Sequence, residues 1–369
     1  MSQLTGWTGW TGWTGWTGWT GGGPGGIPSG TASSPMVVDA LIRSRAGTVG
    51  DATPIHRVVN SPDIDESQNL HRWEPIVRFY VCLSELSAGL RFKTVTQGAG
   101  AKPTGAKLSD GSRALIIMTR PDQKLVFEAQ IPLMAAWAEL REDRATEIQA
   151  QMLPQVAFWS ATCGLQSNRH RATFELLNLA LAFAATSAFR FKNALACPRP
   201  VEYWPGLQPM IPTPEHGSLP SGHATEAFMA AHILAALNGV KKHTVPGGSQ
   251  QDESDDLYEQ LFTQASRIAL NRTVAGLHFP IDSKAGEQLG TVLAEYLLAC
   301  AGFRHPGRPE DEVTGWTQRD FSGTDVTDYL QKKPSTTYAT YLSVLNAATK
   351  RKPIPAIKWL FAAAQKEWQ

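Results

Sequence analysis

Three short stretches of the chain hold residues whose types and spacing could bind and act on an oxyanion. They are Lys192-Asn-Ala-Leu-Ala-Cys-Pro-Arg199-Pro200, then Pro220-Ser221-Gly222-His223, then Arg272-Thr-Val-Ala-Gly-Leu-His278-Phe-Pro-Ile-Asp282. A tetrahedral or trigonal-bipyramidal oxyanion spreads its negative charge over several equatorial oxygens. It needs cations and N–H donors around them, and one side chain in line with the central atom. Lys192 near a helix end and Arg199 just past it supply two cations, although either alone would also suit the dipole of a helix end. Ser221 is an N-cap residue type. Gly222 has no side chain to keep an anion from its N–H. The helix start behind them adds a positive end, and His223 stands on its first turn, where an imidazole can move a proton. Gly276 breaks the third stretch and Pro280 suits the first turn of a new helix. His278 therefore sits at a second helix start, with Asp282 one turn on. A carboxylate in reach of an imidazole fixes its tautomer and raises its basicity. His278 is expected to be the in-line ligand or nucleophile, with Lys192, Arg199, Ser221, Gly222 and Arg272 binding the anion. Asn271-Arg272-Thr273 also spells a glycosylation sequon, but Arg272 is wanted inside the site.

In this order the set K-x6-RP, PSGH and R-x5-H-x3-D resembles the signature of the type 2 phosphatidic acid phosphatase superfamily. Its members include membrane lipid phosphatases, soluble bacterial acid phosphatases and vanadium haloperoxidases. The resemblance spans Lys192 to Asp282, and it departs at Asn271, where the phosphatase pattern usually has Ser. It implies an α-helical bundle with the site between core helices. It also implies one of two chemistries. As a phosphatase, His278 attacks phosphorus to form a phosphohistidine, and His223 protonates the leaving group. Lys192, Arg199 and Arg272 stabilise the equatorial oxygens. As a haloperoxidase, vanadate takes the phosphate position with His278 as the metal ligand. His223 then handles the proton of hydrogen peroxide, and vanadium acts as a Lewis acid without changing oxidation state.

The haloperoxidase is the preferred reading, and a soluble phosphatase acting through His278 is the alternative. His216 stands seven residues before His223. Bromoperoxidases of the family carry a histidine at that offset, where chloroperoxidases carry Phe, so His216 joins the catalytic set; a loop histidine is the plainer alternative. The resemblance implies vanadate as cofactor, with phosphate able to occupy the same site. The partners are hydrogen peroxide, a halide (bromide or iodide) and a small organic acceptor. Relatives are often oligomeric, which makes a homo-oligomer an expectation. A non-enzymatic binding or assembly role would not need His223 and His278 together.

Positioning these residues falls to helices. From about Met36 to Gln369 the chain reads as one mainly α catalytic domain. The expected fold is a helical bundle of the acid phosphatase/vanadium haloperoxidase type with a small β-hairpin. Apolar periodicity marks segments at about 132–164, 169–195, 224–238, 254–275, 281–302, 336–349 and 354–367. Ala114–Met118 and Leu125–Glu128, joined by Arg-Pro-Asp-Gln, read as the hairpin. Asn238-Gly239 closes one helix with a good C-terminal cap. The loop Pro198–Pro220 holds seven prolines and is expected to be stiff and non-helical. Lys241–Asp256 is a polar linker between helices. Residues 1–35 hold five Thr-Gly-Trp copies and then a Gly/Pro/Ser-rich run. A period of three matches neither a helix nor a strand face, so this is expected to be a disordered low-complexity arm. Its tryptophans could dock on a partner, but the adjacent glycines make ordering costly.

Composition limits the other function classes. With a formal charge of +1 the chain has no general affinity for nucleic acid or anionic membranes. Cys82, Cys163, Cys197 and Cys300 form no CxxC pair, and buried free thiols are expected rather than a zinc site or a disulfide framework. The N-terminus has no secretory pattern. Leu176–Phe189 and Thr291–Phe303 are too short or too polar to span a bilayer. The expectation is a soluble protein without a signal peptide, cytoplasmic by default.

Overall fold

The computed structural model describes residues 35–49, 63, 67–96, 101–111, 113–153, 155–239, 253–303, 342–344 and 352–369. The Thr-Gly-Trp arm apart from Pro35, and the linker up to residue 252, lie outside the described residues. Helix α1 (Pro35–Val49) buries none of its residues. Helix α2 (Pro75–Ala88) buries Phe79, Cys82 and Leu86 and leads into an antiparallel sheet. Strands β1 (Leu90–Thr96), β2 (Pro103–Asp110), β3 (Arg113–Thr119) and β4 (Leu342–Val344) lie in that order across it.

Two local expectations are corrected here. Ala114–Met118 lies within β3, but its hairpin partner is β2, joined through a tight turn at Gly111 (φ 60°). Gln123–Glu128 winds into a π-helical turn instead of a strand. The cause is Asp122, whose carboxylate accepts from the backbone N–H of Lys124 (2.9 Å) and Leu125 (2.8 Å) and so starts a helix. The second correction concerns 336–349, expected as helical. Its described residues Leu342, Ser343 and Val344 form β4 and pair with Met118, Ile117 and Ile116. The open edge of β3 offers backbone partners, and sheet pairing outweighs local spacing.

The segment 132–164 is not one helix. It runs as α3 (Ala129–Trp137), a 3-10 turn, α4 (Arg141–Ala150) and α5 (Val156–Cys163). The bundle proper follows: α6 (Arg171–Leu195), α7 (Gly222–Asn238), α8 (Glu253–Val274), α9 (Pro280–Ala301) and α10 (Pro355–Gln365). Between α6 and α7 the Pro198–Pro220 loop, expected to be non-helical, holds one helical turn at Pro200–Tyr203 and a 3-10 turn at Pro205–Leu207, each with its proline in the first turn, where a missing N–H costs nothing. The fold is mainly α with a small antiparallel sheet, as the helical periodicity implies. Helices α7 and α9 bury residues on nearly every side, which marks them as central. They cross closely, because Gly286 and Gly290 of α9 face the backbone of α7. A Cβ on Gly286 would stand 2.6 Å from Ser221 O, and one on Gly290 would stand 2.4 Å from Thr225 O. Among the described residues one segment, Arg171–Tyr203, is long and apolar enough to cross a membrane, which reading its apolar run alone did not show; 61% of its apolar window is buried inside the bundle.

Candidate oxyanion site

The three motifs meet where α6 ends and α7 and α9 begin. Helix α6 stops because Ala196 turns left-handed (φ 46°) and Pro198 and Pro200 follow. Lys192 on its last turn is buried and donates to the carbonyls of Gly217 (2.9 Å) and Ser218 (3.0 Å). It thereby ties the proline-rich loop to the helix. Ser221 caps α7, its Oγ accepting from Ala224 N–H at 3.4 Å. The Ser221 N–H donates to Asp282 O at 2.8 Å, so the starts of α7 and α9 are joined directly. Gly276 (φ 84°) ends α8, and Arg141 bonds Val274 O, Gln208 O and Leu207 O around that turn. This fixes the short run that carries His278.

Hydrogen-bond partners assign the tautomer of His278. Nδ1 lies 3.0 Å from Asp282 Oδ2, and Nε2 lies 3.0 Å from Arg199 Nη1. A guanidinium only donates, so Nε2 carries the lone pair and Nδ1 the proton. Asp282 Oδ2 also accepts from Phe279 N–H at 3.0 Å, and Ser218 Oγ approaches Oδ1 at 3.5 Å. Burial with Arg199 and Lys192 nearby holds His278 neutral, well below its usual range. Burial pushes the Asp282 carboxyl up to about 7 against the pull of Lys192 and Arg199. Ser221, Asp282 and Arg272 are all but inaccessible.

Arg272 and His223 share an organiser that the sequence does not reveal. Gln151, in the loop between α4 and α5, accepts on Oε1 from Arg272 Nη2 (2.9 Å) and on its backbone O from His223 Nε2 (3.0 Å). Ile148 O takes the other Nη2 proton at 3.1 Å. Asn271, the departure from the phosphatase pattern, holds Gln151 Oε1 at 3.0 Å and accepts from Arg144 at 2.9 Å. Its full burial makes the sequon unusable and gives it a bracing role. Burial and Arg272 lower His223 to about 3, so it is neutral with Nδ1 open.

His216 is drawn into the same network. Its Nδ1 lies 3.0 Å from Arg199 Nη2 and its carbonyl accepts from Arg199 Nε at 2.9 Å. Nδ1 is also 3.2 Å from Gly217 O. Both contacts cannot be hydrogen bonds on one nitrogen. The permanently charged Arg199 decides for a lone pair on Nδ1 and a proton on Nε2. The ring stands edge-on to Phe189 at 5.2 Å, and burial with Lys192 and Arg199 beside it lowers His216 to about 4.

The donors left over describe what fits. Lys192 uses two of three ammonium protons on carbonyls, and Arg199 uses four of five guanidinium protons on Leu277 O, His216 and His278. Arg272 is different: Nε and Nη1, carrying three N–H, are buried with no partner. Buried donors without acceptors are costly, and an oxyanion would satisfy them. A Cβ on Gly222 would meet nothing within 4 Å, so the start of α7 opens onto free space. The donor set suits an oxyanion. Among the described residues no cluster of His, Cys, Asp and Glu could hold a bare metal ion.

No curated protein matches the chain. Residues 174–306, which hold all three motifs and His216 but not Gln151, match the PAP2 superfamily.

Proposed function

We propose that this protein is a vanadate-dependent haloperoxidase that uses hydrogen peroxide to oxidise bromide and iodide to hypohalous acid equivalents. The observation that carries the proposal is His216, hydrogen-bonded to the same guanidinium that touches His278. A histidine at this offset resembles the bromoperoxidases of the superfamily, whose members are typically phosphatases or haloperoxidases. When bound, vanadate supplies a Lewis acid that activates the peroxide for attack by halide. The chain's own residues do the rest. His278 offers the Nε2 lone pair, kept in that tautomer by Asp282. Arg272, Lys192 and Arg199 neutralise the oxyanion, aided by the N–H groups that begin α7. His223, with Nδ1 open, takes and returns the peroxide proton. His216 keeps Arg199 pointed at His278.

A second reading is favoured by the His278 tautomer itself, since a neutral imidazole with its lone pair on Nε2, backed by a carboxylate, is also a nucleophile for phosphoryl transfer once it leaves Arg199. One experiment separates the two. Purified protein is given vanadate, hydrogen peroxide and bromide with a dione dye, and in parallel a phosphomonoester without vanadate. Dye bromination that depends on vanadate supports the haloperoxidase. Ester hydrolysis inhibited by vanadate, with no bromination, would replace it with the phosphatase.

A further inference from the structure

Glu226 is a carboxyl that none of the roles above uses. It lies on α7 one turn beyond Gly222 and His223, at the i+4 and i+3 positions that share a helix face. Gln155, buried in the loop before α5, donates its Nε2 protons to His223 O at 3.2 Å and to Glu226 Oε2 at 3.5 Å. Glu226 is therefore braced to the histidine's own backbone. Among the described residues it joins no ion pair.

The charges around Glu226 come from few elements. Lys192 on α6 bears on it electrostatically. His223 on its own helix is neutral, and Gln155 is uncharged. Helix α9 packs on another side of α7, against Ser221, Ala224 and Thr225. Arg272 of α8 bears on His223. A carboxylate here would compete with an incoming oxyanion for Lys192 and repel it.

We propose that Glu226 is a further residue of the oxyanion site and must carry its proton for the anion to be held. This rests on the reading of the site as an oxyanion site. Burial, opposed by Lys192, raises the carboxyl to about 8, so the proton is present at neutral pH. An anion at the site raises it further, because two neighbouring anions cannot both stay charged cheaply. Anion binding in the alkaline range therefore takes up a proton.

The test uses inorganic phosphate as probe, the full chain, and the variant Glu226→Gln, which keeps the shape and cannot titrate. Affinities are measured by calorimetry from about pH 6 to about pH 9.5, spanning the raised carboxyl. Ionisation of phosphate is common to both proteins and cancels in the ratio of their affinities, while the pull between Lys192 and Glu226 is part of the effect read. The two should bind alike at the acidic end, and the wild type should bind about tenfold or more weakly than the variant at the alkaline end. In the wild type alone, calorimetry in two buffers of different ionisation enthalpy should show proton uptake on binding in the alkaline range, beyond that of Glu226→Gln. A ratio that stays constant with pH, without the extra proton uptake, overturns this inference and leaves the oxyanion site standing. Failure of both proteins to bind phosphate or vanadate at every pH overturns the site and the inference together.

Discussion

In the proposed chemistry His278 acts through Nε2, because Asp282 accepts the proton on Nδ1, and that pairing is the most exposed to test at the level of single residues. Asp282→Asn removes the fixed acceptor and lets the ring choose the other tautomer. Vanadate affinity or turnover is expected to fall about 10–100-fold, as for other groups that orient a ligating histidine. Unchanged vanadate affinity together with unchanged turnover in that variant would remove Asp282 from its role. Arg272 is expected to behave differently from His223. Arg272→Ala deletes the three unpartnered N–H groups and should weaken the anion by about 1.5–3 kcal/mol, the range for hydrogen bonds to charged groups. His223→Ala should bind the anion and lose about 10²–10⁴-fold in turnover, the range for general acid–base groups. Vanadate titration with single-turnover kinetics reads the two effects separately. If His223→Ala lost the anion and kept its turnover per bound anion, the roles would be reversed.

Helix ends do the positioning, and the crossing of α7 and α9 sets how close their starts come. Gly290→Ala would press a methyl onto Thr225 O at 2.4 Å and Met229 N at 3.1 Å, both backbone atoms that cannot swing aside. The expected cost is about 1–3 kcal/mol, seen as a lower melting temperature. Gly222→Ala is the contrast, because its methyl meets nothing within 4 Å. Its melting temperature should match the wild type, while anion affinity falls as the methyl stands beside the N–H donors. Equal melting temperatures for the two variants would show that the crossing is looser than the geometry implies. The same logic explains what the sequence made legible. Lys192, Ser221, His223 and His278 lie at helix ends, where Gly, Pro and N-cap residues mark the chain locally, so their relation can be read from spacing. Gln151 and Gln155 carry no such mark. They act from the breaks of a segment that reads as one helix over 132–164, and only the fold brings them beside Arg272 and His223. The hairpin was half legible: β3 shows its apolar run, but β2 runs Pro-Thr-Gly-Ala-Lys-Leu-Ser-Asp, and its pairing becomes visible only against β3.

Across the whole molecule the site is a place where three cations are gathered with little to balance them. Lys192, Arg199 and Arg272 are buried, Asp282 is shared with His278 and Ser218, and burial lowers all three cations from their usual range. Concentrating like charge in a low-dielectric core costs folding free energy. The bundle meets that cost with the apolar burial of α6, α7 and α9. An oxyanion that binds only the folded chain should therefore stabilise it, by about 2.7 kcal/mol at a hundredfold excess over Kd. For a domain of this size that corresponds to a rise of several degrees in melting temperature. Phosphate and vanadate should both produce the rise, and chloride at matched ionic strength should not, since a spherical monoanion cannot reach all three cations at once. His278→Ala should remove the part of the vanadate effect that exceeds the phosphate effect, because in the proposed reading only vanadate would gain a bond to Nε2 in the resting state. Thermal unfolding with each salt in turn is the measurement. Equal shifts for chloride, phosphate and vanadate would mean that general screening stabilises the bundle, and the buried cations would then need a different explanation.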